Sequence, residues 1–93
     1  MSHEQLWVIA YDSPSNKRRR KLAKLLAGYG ERLQWSVFEC RLQPHQMARL
    51  RQLLARNATA EDSVRIWAVP QRAPAAEQLG RPMELTPWED KVI

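Results

Sequence analysis

The 93-residue sequence contains a single cysteine and no apolar run approaching the roughly 20 residues of a membrane span. One cysteine excludes an internal disulfide and gives no cluster of metal ligands, so we expect Cys40 to be a small buried side chain. Two histidines are present, His3 and His45, and neither belongs to a Ser-His-Asp or Cys-His arrangement. Together these absences predict a soluble, cytoplasmic protein without a nucleophilic triad.

Acidic residues are scarce in the first part of the chain. Residues 1–57 hold 11 of the 15 lysines and arginines but four acidic residues, whereas residues 58–93 have a small excess of acids. The net charge of +5 favours an anionic partner. Positive charge is densest at residues 17–24, where six of eight side chains are basic and none is acidic. Ordinary surfaces mix the two signs, so this run predicts a surface that binds phosphate groups rather than a solvated helix face.

A short apolar run near the start, Leu6–Tyr11, is rich in strand-forming residues and ends at a carboxylate, Asp12. We predict a strand because the run is too short for a buried helix. Alternation gives this strand two apolar faces, with Leu6, Val8 and Ala10 on one and Trp7, Ile9 and Tyr11 on the other.

The rest of the chain alternates between helical and strand patterns. A helix is predicted at 17–27, capped by Ser15 or Asn16 and ended by Gly28 and Gly30. A strand region follows at 32–42, with a bulge or two buried faces, and a second helix begins at Pro44. The remaining predicted elements are a strand at 63–69, a helical turn at 75–79 and a short strand at 83–85. This order predicts one domain, a two-layer α/β sandwich with both helices on one face of a sheet.

Two helices can cover only one face of such a sheet, whereas every predicted strand is apolar on both faces. We therefore predict that a second copy of the chain packs against the other face, or along the sheet edge, about a two-fold axis. The side chains assigned to that uncovered face are Trp7, Ile9, Tyr11 and Trp67.

Several short motifs follow one another between residues 6 and 70. They are Tyr11-Asp12 after the apolar run, Lys17-Arg18-Arg19, the stretches at 21–26 and 29–34, Ser36–Cys40 with Leu42, and the stretch at 62–66. In this combination the sequence resembles the CRISPR-associated Cas2 family. The resemblance implies an α+β, ferredoxin-like two-layer fold of βαββαβ type and a homodimer with facing sheets. It also implies a ferredoxin-like domain at 1–82 and a C-terminal strand and tail at 83–93 that pack on the dimer partner.

The resemblance further implies a function in CRISPR adaptation. In the family, the dimer lies between two copies of the Cas1 integrase and helps to hold duplex DNA for insertion into the repeat array. Many members are described as metal-dependent endonucleases acting on single-stranded RNA or duplex DNA. The alternative to such an enzyme is a purely structural DNA-bridging scaffold, and a module that binds single-stranded RNA on its sheet is a weaker third.

Asp12 matches the family's metal-binding aspartate. The resemblance thus implies that one Asp12 from each subunit holds a magnesium ion or another divalent cation. From the residues alone, the alternative is that Asp12 merely caps the turn before the helix.

The other expected site residues are cationic. Arg19 and Arg32 are expected to be catalytic together with Asp12, although Arg32 could instead form an exposed salt bridge. Phe38 also matches a residue of the family's cleft, but a core position is the better prediction. The expected nucleic-acid-binding residues are Lys17, Arg18, Arg19, Arg20, Lys21 and Lys24, and the first two arginines of this run are expected to point towards the strand end that carries Asp12.

Overall fold

A four-stranded antiparallel sheet and two helices that pack on one of its faces make up the fold. The computed structural model describes residues 3–77, 79 and 80. Its elements are β1 (Gln5–Asp12), α1 (Asn16–Ala27), β2 (Glu31–Gln34), β3 (Val37–Leu42), α2 (Pro44–Asn57) and β4 (Ser63–Val69). The strand order is β2-β3-β1-β4, which is the α+β, βαββαβ arrangement that we predicted. None of the helices in this part of the chain is long and apolar enough to cross a membrane.

Both helices begin at capped positions. The Ser15 hydroxyl accepts a hydrogen bond from the backbone amide of Arg18 at 3.2 Å, so α1 begins one residue before its predicted start. In α2, Pro44 lies in the first turn, and the Gln46 side chain accepts a hydrogen bond from the backbone amide of Gln43 at 2.8 Å. The residues that the two helices bury against the sheet are Leu22, Ala23, Leu26, Met47, Leu50 and Leu54.

The predicted single strand region at 32–42 is in fact a hairpin. The chain reverses at Trp35 and Ser36, so β2 and β3 pair with each other. This reversal explains why the apolar side chains change sides midway along the region. The predicted irregularity is also present, because the pairing register shifts between Arg32 and Gln34, beside the turn.

The helices cover the opposite face of β1 from the one that we predicted. Ile9 and Tyr11 are buried in the core, and Trp7 packs against it. The uncovered face, which we call the open face, carries Leu6, Val8 and Ala10, together with their cross-strand neighbours Val37, Glu39, Arg41, Arg65, Trp67 and Val69. The assignment of Trp67 to the uncovered face is confirmed, whereas that of the three β1 residues is wrong. Alternation separates the two faces of a strand but does not show which one the helices cover.

Cys40 has the structural role that we expected. Its side chain is fully buried in the core, where burial raises the pKa of the thiol to about 11. The thiol therefore stays protonated at neutral pH and is a poor nucleophile. Phe38 is likewise fully buried, which confirms its predicted core position.

Three predictions concern the C-terminal part of the chain. The predicted helical turn at 75–79 is not present at residues 75–77 and 79. The predicted strand at 83–85 and the tail at 83–93 lie outside the described residues. The division of the chain into 1–82 and 83–93 therefore stays a prediction.

Candidate nucleic-acid interface

Asp12 is the last residue of β1, where it pairs with Ser63 of β4. Tyr11 points towards the helices, so alternation places the Asp12 side chain on the side of the open face. Its carboxylate is exposed and forms no hydrogen bond or ion pair with the residues that the structure describes. The helix cap is supplied by Ser15, so Asp12 does not have the capping role that was its alternative. The carboxylate is available to an external cation.

The loop after Asp12 is held by a buried acid, Asp62. The side chain of Asp62 is fully enclosed, and it accepts hydrogen bonds from the Ser13 hydroxyl at 2.5 Å, the Arg18 Nε at 2.8 Å and the backbone amide of Thr59 at 2.8 Å. These hydrogen bonds, led by that of Ser13, lower the pKa of Asp62 to about 2. The network connects the β1–α1 loop to the loop that leads into β4. It thereby fixes the backbone next to both members of the Asp12–Ser63 pair.

The Arg18 side chain points towards the end of β1, as predicted, but there it pairs with acidic side chains. Its guanidinium forms ion pairs with Asp62 at 2.8 Å and with the exposed Glu61 at 3.4 Å. Asp62 directly precedes Ser63, so Arg18 does lie close to the end of β1. Its charge, however, is largely compensated by these two carboxylates, and Arg18 acts here as a link between loops.

Arg19 and Arg32 both donate hydrogen bonds to backbone carbonyls beside the end of β1. Arg19 donates a hydrogen bond through Nη1 to the backbone carbonyl of Ser13. Arg32 donates to the carbonyl of Trp35 from Nε at 3.0 Å and from Nη2 at 2.6 Å, and the Tyr11 hydroxyl donates to the same oxygen at 3.1 Å. Burial raises the pKa of Tyr11, while the charges of Arg32 and Arg19 oppose this rise. The two predicted arginines thus bond to different backbone carbonyls, of Ser13 and of Trp35, and neither forms an ion pair with Asp12.

The remaining cations of α1 form one continuous surface. Residues 17, 20, 21 and 24 follow the i, i+3, i+4, i+7 spacing of a single helix face. All four side chains are exposed, and none forms an ion pair with a residue that the structure describes. We call this surface the basic face; it consists of Lys17, Arg20, Lys21 and Lys24.

A family model described as "CRISPR associated protein Cas2" matches residues 5–74. The chain belongs to the Cas2 family. A CRISPR-associated endoribonuclease Cas2 of Synechocystis sp. is 48% identical over 63 residues, which are 67% of this chain and 68% of that protein. A CRISPR-associated endoribonuclease Cas2 of Thermus thermophilus is 49% identical over 67 residues, 71% of either chain.

Solved structures of Cas2 proteins have the same fold. The crystal structure of Streptococcus pyogenes Cas2 superposes with a TM-score of 0.68 at 30% identity, covering 72% of this chain and 88% of that one. A hypothetical protein of Thermus thermophilus gives a TM-score of 0.76 at 41% identity, covering 87% and 96%. The family that the motifs suggested and the fold that it implies are confirmed.

A magnesium site of the kind expected for a Cas2 protein is not complete among the described residues of one chain. Among the described residues, no group of three or more His, Cys, Asp or Glu side chains could hold a metal ion. The exposed carboxylate of Asp12 suits magnesium, which prefers oxygen ligands and keeps several waters. One carboxylate is nevertheless a sparse ligand set for such an ion.

A cavity of about 360 Å³ lies at the other end of the sheet. It is lined by Leu6, Tyr29, Gly30, Glu31, Glu39 and Arg41. Leu6 and Asp12 are separated by about 20 Å along β1. None of the predicted site residues lines this cavity, so the candidate interface is a surface and not this pocket.

Two side chains near the end of β1 were missed by sequence reasoning. Asp62 belongs to a motif that carried the family resemblance, but its contact with Ser13 spans 49 positions and had no local signal. Trp35 was predicted to lie within a strand, three residues before the buried Phe38. The sequence pattern did not indicate the turn that exposes the Trp35 side chain.

Proposed function

We propose that this Cas2-family protein is a homodimeric, nucleic-acid-binding component of CRISPR adaptation, in which it joins Cas1 integrase subunits to a duplex DNA fragment. The basic face of α1 carries this proposal. Its four cations match a phosphate backbone, because such contacts give affinity without reading the base sequence. A two-fold axis would give the dimer two such faces, one on each helix layer.

The open face supports the dimer. It presents the apolar side chains of Leu6, Val8, Ala10, Val37 and Trp67, and Trp67 is 44% exposed. An uncovered apolar surface of this kind is typical of an interaction site. Because Asp12 lies on the same side, packing two sheets face to face brings both Asp12 carboxylates to the interface. The predicted addition of residues 83–93 across this dimer remains part of the proposal.

Removing two charges from the basic face tests the binding proposal. We expect Arg20→Gln/Lys24→Gln to weaken duplex DNA binding. The slope of log K against log salt should become shallower by about 0.9 for each phosphate that the variant no longer neutralises. Glutamine preserves helix propensity, so the fold should not change. Fluorescence anisotropy over a salt series provides both quantities.

The matched control removes the same charge from α2. Arg49 and Arg56 are also exposed, so Arg49→Gln/Arg56→Gln lowers the net charge equally. The α1 variant should lose more affinity than this control. Equal losses in the two variants would mean that only the net charge matters and that α1 is not the binding surface.

A second candidate function, hydrolysis of phosphodiester bonds, is supported by the exposed carboxylate of Asp12. Asp12 from each protomer would hold a magnesium ion, which when bound polarises a phosphoryl oxygen and lowers the pKa of a water molecule. On the helix side, Arg19 and Arg32 would contribute positive charge near the backbone of the nucleic acid. The endoribonuclease names of the relatives from Synechocystis and Thermus agree with this proposal.

Cleavage of labelled RNA and duplex DNA with magnesium tests this second function. Asp12→Asn should lower the cleavage rate by at least about 100-fold, because a neutral amide is a poor magnesium ligand. Glu4→Gln is the control, since it removes an exposed carboxylate at the opposite end of β1. If Asp12→Asn and wild type cleave equally, the activity belongs to a contaminant, and the protein is a DNA-bridging scaffold.

A further inference from the structure

An exposed tryptophan, Trp35, lies at the tip of the β2–β3 hairpin. Its side chain is 44% exposed, although the nearby Phe38 is completely buried. Among the aromatic side chains that the structure describes, Trp67 is equally exposed, but it lies on the open face that the proposed dimer covers. Trp35 belongs instead to a turn beside the end of β1, where no proposed contact explains its exposure.

The backbone holds Trp35 firmly in place. Its carbonyl oxygen accepts hydrogen bonds from the Arg32 guanidinium and from the Tyr11 hydroxyl. In addition, the Tyr11 amide donates to the carbonyl of Ser36 at 3.0 Å. The turn is therefore attached to β1 one residue before Asp12. A ring presented on a fixed turn loses little conformational freedom when a ligand binds.

A guanidinium group lies against this aromatic ring. The Arg32 guanidinium carbon lies 5.1 Å from the centre of the Trp35 ring and 5.7 Å from that of Phe38. A flat apolar surface beside a guanidinium group is a combination by which proteins bind single-stranded nucleic acids, with the base on the ring and a phosphate near the cation.

We propose that Trp35 stacks against an unpaired nucleobase while Arg32 attracts an adjacent phosphate. This inference rests on the proposed nucleic-acid binding and assigns to it a preferred substrate form: a single strand, or the unpaired end of a duplex. Bases inside a duplex already stack on one another and do not present a free face to the turn.

Binding to two single strands of equal length tests the inference. One is oligothymidylate, and the other has the same number of phosphates but only abasic sites. Wild type should prefer the strand with bases, and Trp35→Ala should lose about 5- to 150-fold in affinity for it, the range typical of one stacked base. Affinity for the abasic strand and for a blunt duplex should not change.

Two further variants separate stacking from folding. Trp35→Phe keeps an aromatic face and should retain most of the preference for bases, whereas Trp35→Leu is apolar without a π face and should behave like Trp35→Ala. Thermal unfolding of all variants establishes that each is folded at the assay temperature.

Several results would overturn the inference. One is an equal affinity of wild type and Trp35→Leu for oligothymidylate, and another is an equal loss on the abasic strand and the duplex. A change confined to dimerisation would make Trp35 a protein contact. If wild type binds duplex normally but shows no preference for bases, only this inference fails. If wild type binds none of the three nucleic acids, the proposed function fails with it.

Discussion

At the scale of single residues, the buried carboxylate of Asp62 is the best-connected polar group near the candidate interface. It accepts hydrogen bonds from Ser13, Arg18 and Thr59, and thereby joins two loops that are distant in sequence. An enclosed carboxylate is stable only when such donors surround it. Asp62 is thus a structural residue that holds the loop between Asp12 and α1, although it does not face the proposed nucleic acid.

Replacing this carboxylate should destabilise the protein. We expect Asp62→Asn to lower the thermal unfolding midpoint by about 5–15 °C at pH 7, because an amide cannot accept all of these hydrogen bonds. The neighbouring acid provides the control: Glu61 is exposed, and Glu61→Gln should shift the midpoint by no more than about 3 °C. Differential scanning calorimetry measures both shifts.

The same pair of proteins should show a defined pH dependence. The folded pKa of Asp62, about 2, lies below its unfolded value of about 3.9, so its contribution is complete above pH 4 and is lost as the pH falls towards 2. The difference in midpoint between wild type and Asp62→Asn should therefore shrink over this interval. A difference that stays constant from pH 5 to pH 2 would show that the carboxylate is not responsible.

At the scale of elements, the connection between α1 and the hairpin depends on two glycines with different roles. Gly28 is the C-cap of α1 and has an ordinary right-handed conformation, with φ at −76°. Gly30 lies against β3, where a Cβ atom would stand 2.2 Å from the carbonyl oxygen of Glu39 and 2.6 Å from Cys40 Sγ. The pattern of the sequence placed both at the helix end but could not distinguish a cap from a close contact.

A pair of alanine substitutions distinguishes these roles. Gly30→Ala should destabilise the protein by roughly 1–3 kcal/mol, since the hairpin backbone must move to admit the methyl group. Gly28→Ala should be neutral or stabilising by up to about 1 kcal/mol, because its conformation suits alanine and its contacts are ordinary. Urea unfolding gives both free energies. Equal effects would mean that α1 and β3 are less closely packed than described.

The basic face of α1 was predictable from the sequence because helical spacing alone brings its cations together. The partners of Arg18 and Arg32 were not predictable in this way. Arg18 meets Asp62 44 positions away, and Arg32 bonds to a carbonyl at a turn inside the region predicted as strand. An exposed salt bridge was the alternative for Arg32, and the structure shows this contact with Trp35 instead.

At the scale of the whole molecule, the open face determines whether the protein can assemble as proposed. Val8 lies at its centre, opposite Trp67 on one side and Glu39 on the other. It points away from the helices, so a polar residue should be tolerated there by the folded monomer. The face can therefore be altered without damaging the core.

Val8→Asp should prevent dimerisation, because the interface would then bury two unpaired carboxylates, one from each protomer. Sedimentation velocity over a range of concentrations should show a dimer for wild type and a monomer for Val8→Asp, with unchanged helical circular dichroism. Ala48→Asp places the same charge on the exposed side of α2 and should remain dimeric. A Val8→Asp dimer as stable as wild type would exclude the open face as the interface.

The sequence by itself determined the two helices and the strand regions, a helix cap at Ser15 or Asn16, the cationic face of α1 and the family. These features depend on neighbours within a few positions, or on motifs whose order is visible in the chain. Only the tertiary structure decided which apolar face of β1 the helices cover, and hence that Asp12 shares the open face while Arg19 and Arg32 lie on the helix side. That choice depends on how side chains from distant segments fill one core, which local alternation does not encode.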